Sequence, residues 1–151
     1  ENGRLRDHIN KLRPSKNPSR LRLSPEYRAE AINELWDSDT REIFSIDDYI
    51  THSRLDMDIR ELIEYHESGK LPDNCRRARL VLLREHNTFV DKNILYVVSE
   101  YVLHGHKEMR IRIWVPHGLA LKCIAQTHTS QGHPGIFKTC EILRRKFTCP
   151  N

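Results

Sequence analysis

The residue pattern predicts an α+β fold, mostly helical, on three observations. Apolar residues recur at helical spacing in several stretches between Pro25 and His86, the period drops to two between Thr88 and Val115, and helical spacing returns from Gly118 to Phe147. A small sheet set between helices follows. The 151 residues give room for one ordinary domain, or for a small domain with a tail and an adjoining module. With 38% hydrophobic and 30% charged residues, a core forms but does not take in the whole chain.

Taken in order, residues 1–23 hold few apolar side chains. Arg4, Arg6, Lys11, Arg13, Lys16, Arg20 and Arg22 stand there against Glu1 and Asp7, interrupted by Pro14 and Pro18, the composition of a basic flexible arm. A helical segment, 24–70, comes next. Ser24-Pro25-Glu26 supplies an N-cap, a first-turn proline and a dipole-favourable acid, and Tyr27, Ala31, Ile32, Leu35 and Trp36 repeat at helical spacing to about Trp36. Ser45 to Asp48 caps a short turn holding Tyr49 and Ile50. A stronger helix spans Met57 to Ser68, with Ile59, Leu62, Ile63 and His66 on one face and Gly69 as its stop. Asp47, Asp48, Asp56 and Asp58 read as helix-start acids rather than catalytic carboxylates.

The stretch 71–116 begins with another helix, capped by Asp73 or Asn74, burying Ala78, Val81 and Leu82 and ending near His86. Thr88 to Val90, a turn at Asp91-Lys92-Asn93 and Ile94 to Val102 then form β-rich sequence. His104-Gly105-His106-Lys107 turns the chain back, and Met109, Ile111, Ile113 and Val115 alternate with Arg110, Arg112 and Trp114, one face apolar and the other basic.

The last stretch, 117–151, contains two helices, Gly118 to Thr129 and Ile136 to Phe147. Leu119, Cys123 and Ile124 point inward from the first; Ile136, Cys140, Leu143 and Phe147 line the core side of the second. The first helix delivers His128 in its last turn, and His133 follows five positions on in the loop, inside Gly132-His133-Pro134-Gly135. Two histidines so spaced can turn toward one ion, and a tetrahedral zinc wants two further ligands, usually a Cys-x-x-Cys pair. None occurs in the 151 residues, so the pattern is half of a zinc site, to be completed by Cys140, Cys149, water or a partner chain. The four cysteines, Cys75, Cys123, Cys140 and Cys149, are widely spaced and read as reduced structural thiols.

Taken together, "NILYVV", a charged hairpin, "IRIWVP" and "LALKCIAQTHTSQGHPGIFKTCEILRRKF" resemble the region entering the N-terminal zinc-binding domain of retroviral and LTR-retrotransposon integrases, above all the gypsy-like group. The resemblance covers roughly residues 57 to 151 and rests on Val115-Pro116, His128, Gly132 to Gly135, Lys138-Thr139, Leu143-Arg144, and Phe147 with Pro150. It implies a small helical and β-hairpin extension followed by a truncated zinc-binding helical bundle, with His128 and His133 as zinc ligands. Cys149 stands where the family's Phe-x-Trp-Pro element has tryptophan.

The function so implied is a non-catalytic DNA-binding and assembly region of a retrotransposon integrase or polyprotein. The alternative is a host-domesticated integrase remnant acting as a protein-interaction or dimerisation module, with an exposed apolar patch around Trp36 or Trp114. No ribonuclease-H-like core is recognisable, and no nucleophile stands beside a base, so an enzyme is the reading with least support. The net charge of +4 permits nucleic acid as a partner. The candidate phosphate contacts are Arg76, Arg77, Arg79, Arg110, Arg112, Lys138, Arg144, Arg145 and Lys146; self-association or another protein is the second class of partner. No apolar run reaches membrane-helix length. An intracellular place, nucleus or cytoplasm, is expected.

Overall fold

The computed structural model describes residues 23–130, 132 and 135–149. The basic arm read at residues 1–23 therefore falls almost wholly outside the described residues, as does His133. The elements run α1 (Pro25–Leu35), α2 (Ser38–Ile43), α3 (Ile46–Leu55), α4 (Met57–Ser68), α5 (Cys75–Arg84), a 3-10 turn (Glu85–Asn87), β1 (Thr88–Asp91), β2 (Ile94–Leu103), β3 (His106–Trp114), α6 (His117–Ser130), α7 (Ile136–Lys146) and β4 (Phe147–Thr148). The expected α+β, mostly helical architecture is what is observed. Among the described residues no helix is long and apolar enough to cross a membrane.

Local chemistry explains most boundaries. Ser24, Asp37, Ser45, Asp56 and Asn74 each accept a backbone N–H in the first turn of the helix they precede, Ser45 within a capping box closed by Asp48. Gly69 ends α4 in the left-handed conformation. The two hairpins turn on positive-φ pairs, Lys92-Asn93 and His104-Gly105, the geometry that matches the twist of antiparallel strands.

The sheet has the order β1-β2-β3-β4, antiparallel except for the parallel β3–β4 pair. Both faces are covered. On one, Phe89, Ile94, Tyr96, Val98, Ile111, Ile113 and Val115 meet Leu35, Trp36, Ile43, Phe44 and Tyr49 from the N-terminal helices, and Leu119, Cys123 and Phe147 from the C-terminal stretch. On the other, Leu95, Val97 and Trp114 pack under Ile59, Leu62, Tyr65, Leu71, Ala78, Val81 and Leu82. Burial on both sides is why Ile94 to Val98 reads as an unbroken apolar run.

Several expectations need correcting. Ser45 to Ile50 opens a ten-residue helix, not a short turn, because its capping box is followed by Tyr49 and Ser53 one turn apart, both buried. α2 was not anticipated: six residues are too few to display a period. Trp114, placed on the basic face, does lie there, but α4 and α5 cover it. Neither Trp36, 6% exposed, nor Trp114, 4% exposed, can form a surface patch. In the C-terminal helices Ile124, Ile136 and Cys140 are exposed, while Thr127 and Thr139 are buried. The inward positions are thus Leu119, Cys123 and Thr127 on α6, four residues apart, and Thr139 and Leu143 on α7.

Tyr49 fixes the junction of sheet and helices. Its buried hydroxyl donates to the Trp114 carbonyl at 2.7 Å and accepts the Leu95 N–H at 3.2 Å, standing in for a ladder hydrogen bond just beyond the last β2–β3 pair, Tyr96 with Ile113. Burial raises its ionisation well above the ordinary tyrosine range, so it serves as a neutral donor and acceptor. Beside it Trp36 donates to the Tyr96 hydroxyl at 2.9 Å.

Candidate metal and nucleic-acid site

The C-terminal stretch is attached to the rest by its base. Phe147 enters the aromatic cluster 6.0 Å from Phe44, ring centre to ring centre, and Val115 donates to the Thr148 carbonyl at 2.8 Å. The Asp56 carboxylate caps two helices at once: one oxygen accepts from Asp58 and Ile59 at the start of α4, the other from His117 at the start of α6, 2.9 Å away. Lys146, at the end of α7, pairs with Asp37. Burial alone would raise the Asp37 carboxyl, but Lys146 and the Thr40 amide outweigh it and hold it below its ordinary value.

His128 lies in the last turn of α6, half-buried. Its Nδ1 is 3.4 Å from Oγ1 of Thr139, a buried side chain on α7 whose hydroxyl also reaches the Gly135 carbonyl at 3.3 Å. A ring anchored through one nitrogen is how metal-binding histidines are commonly held. Among the described residues no three His, Cys, Asp or Glu side chains gather as a metal site requires. Cys140 and Cys149 are exposed; burial and then Asp56 raise the Cys149 thiol above its ordinary value, while burial pushes Cys123 up to about 12. Neither shift favours the thiolate a metal needs.

The nine candidate phosphate contacts do not form one surface. Arg77, on α5, is bound by Glu61 and Asp58, whose hydrogen bonds raise its pKa despite partial burial. Arg76 and Arg79 are exposed on the same helix. Lys138 and Arg145 pair with Glu141, at 3.9 Å and 3.6 Å, in solvent. Arg112 is occupied too: it donates to Ser99 at 3.2 Å and to the Arg144 carbonyl at 3.5 Å, which lays it against the C-terminal end of α7. Arg110 stacks over Tyr101 with 4.6 Å from guanidinium carbon to ring centre, and Arg112 approaches the same ring at 5.8 Å. Arg110, Arg145 and Lys146 also line one groove, together with Tyr27 and Glu34. The structure thus brings Arg110, Arg112, Arg144, Arg145 and Lys146 together where β3 meets α7, and leaves Arg76, Arg77 and Arg79 on α5 and Lys138 at the start of α7.

Charge counting on the sequence missed the intramolecular partners of Arg77 and Lys146. Their acids are remote in sequence, and only the fold brings them close. The double role of Asp56 was equally hidden, although a helix-start acid was legible there.

With this geometry in view, the comparison with known proteins is specific: residues 115–151 match the model of the integrase zinc binding domain. The C-terminal quarter of the chain is thus similar to that domain, which supports the integrase resemblance read from the sequence. No curated protein and no solved structure gives a significant match.

Proposed function

We propose that this chain is the DNA-binding and assembly region of an integrase-type protein, contributing contacts rather than chemistry. The observation that carries this is the continuity of β3 and α7: a strand bearing Arg110 and Arg112 abuts the end of a helix bearing Arg144, Arg145 and Lys146, inside and beside the matched stretch. Such a cluster neutralises phosphates without reading sequence. His128 and His133 would hold the zinc, which when bound would stabilise the ends of α6 and α7, a structural task.

Salt-dependent DNA binding tests the reading. Affinity for a duplex should fall steeply as salt rises, and the paired substitution Arg144→Ala with Arg145→Ala should weaken binding and flatten the salt slope. Binding that ignores salt, or an unchanged slope in the double variant, overturns it. The alternative, an interaction module derived from an integrase, is favoured by a different observation: Leu121, Ile136 and Phe137 are 80%, 74% and 89% exposed on α6 and α7. It predicts self-association that Phe137→Asp abolishes, measured by sedimentation; a chain monomeric at every concentration removes it.

A further inference from the structure

We infer that the free edge of β1 is a dimer interface, on which β1 of a second copy of this chain pairs antiparallel about Val90. The inference stands on its own observations and uses none of the β3–α7 surface. β1 is the outer strand of the sheet, and its register on β2 sets Asp91 opposite Ile94 around the two-residue turn, Val90 opposite Leu95 and Phe89 opposite Tyr96. Residues flanking such a turn exchange hydrogen bonds and the pattern alternates from there, so Phe89 and Asp91 are bonded to β2 and Val90 is not. Leu95 agrees, because its N–H turns the other way, to the Tyr49 hydroxyl. The N–H and carbonyl of Val90 therefore face outward. Two grooves, of about 490 and 380 Å³, flank this edge. One lies beside Arg28 and Ile32 of α1, the other beside His66 and Glu67 of α4, and Phe89, Val90 and Lys92 line both.

Charge and register identify a second copy as the occupant. Successive residues of a strand face opposite sides of the sheet, so Asp91 shares with Phe89 the side covered by α1, while Val90 packs on the other. The Arg28 guanidinium lies 4.5 Å over the centre of the Phe89 ring. Among the described residues neither Arg28 nor Asp91 forms an ion pair, although both line the same groove. A two-fold axis through Val90 lets the two Val90 residues exchange both backbone hydrogen bonds. It also sets Asp91 of each copy opposite Phe89 of the other, a non-hydrogen-bonded pair with Cα atoms about 4.5 Å apart and side chains on one side. Each Asp91 carboxylate then arrives beside the other copy's Arg28, giving two reciprocal ion pairs that the separate chain lacks. Lys92 comes opposite Thr88, so no like charges meet across the strands. The pairing is closed, since both copies use the same edge.

The test follows the full chain by sedimentation velocity over a concentration series, with hydrogen exchange at the Val90 amide as the local readout. The wild type is expected to self-associate and to protect the Val90 amide more strongly as concentration rises. Val90→Pro removes the outward N–H without touching the β1–β2 ladder, and is expected to stay monomeric over the same range. Asp91→Arg should weaken association about 10-fold through the loss of two exposed ion pairs. Combining it with Arg28→Asp should restore most of that loss, a recovery that a damaged fold cannot give. A wild type monomeric at every concentration overturns the inference, and so does a dimer whose Val90 amide exchanges at one rate throughout; neither result depends on the proline variant folding. Association abolished by Phe137→Asp but intact in Val90→Pro and Asp91→Arg also overturns it, and assigns the interface to α6 and α7.

Discussion

The two ends of the C-terminal helical pair are held by different means. At the base, Leu119, Cys123, Leu143 and Phe147 share a core with helices from the start of the chain, and Asp56 and Asp37 reach across to α6 and α7. At the far end, where His128 lies, Ile136 and Phe137 face solvent, and the Thr139 hydroxyl lies 3.4 Å from the His128 ring. The base is held by hydrophobic burial that the chain supplies itself. Among the described residues the far end buries Thr127 and Thr139 rather than large apolar side chains.

The largest expected effect lies at the base. Phe147→Ala removes an aromatic side chain that is 8% exposed and touches both stretches, and should cost about 3–5 kcal/mol by denaturant unfolding. All signals should shift together; a variant in which α6 and α7 melt while the sheet persists would separate the regions. Next comes Asp56→Ala, which uncaps α4 and α6 together and should cost about 2 kcal/mol, near twice the ~1 kcal/mol typical of one cap. A loss no larger than a single cap would mean that the His117 contact contributes nothing.

A smaller effect depends on pH. Burial lowers the pKa of His66, whose Nε2 lies 2.8 Å from the Thr88 hydroxyl, with Glu85 opposing weakly. The unfolded state therefore binds this proton more readily, and the stability due to neutral His66 is complete above its unfolded pKa of about 6.5 and is lost as pH falls below it. Thermal melts between pH 7 and pH 5 should show that decline, and His66→Gln should flatten it. Least affected should be the stability of Phe137→Asp, within about 0.5 kcal/mol by denaturant midpoint, because the side chain is 89% exposed and an acid suits the first turn of α7. A loss beyond 1 kcal/mol would show that the far end packs more than the comparison allows.

What was legible in the sequence followed from local chemistry. Helix caps at Ser24, Ser45 and Asn74, the stop at Gly69 and both hairpin turns are short-range effects, and they fall where expected. His128 was placed correctly in the last turn of its helix. What stayed hidden depends on contacts far apart in sequence. The apolar face of α7 was misread because Ile136 and Cys140 fit a helical period as well as Thr139 and Leu143 do, and only packing against α6 and the sheet chooses between them. β4 has two residues, too few for a pattern, and exists because Phe147 and Thr148 lie against Ile113 and Trp114.

The carboxylate of Asp56 bears on how the chain can be dissected. The hydrogen bond to His117 spans 61 residues and crosses the start of the matched stretch at residue 115. Excising the recognised motif along its sequence boundary would leave α6 without its first-turn acceptor and Phe147 without the rings it sits among. The recognisable family segment and the unit that holds its shape are thus different lengths of chain, and the longer one reaches back at least to Trp36.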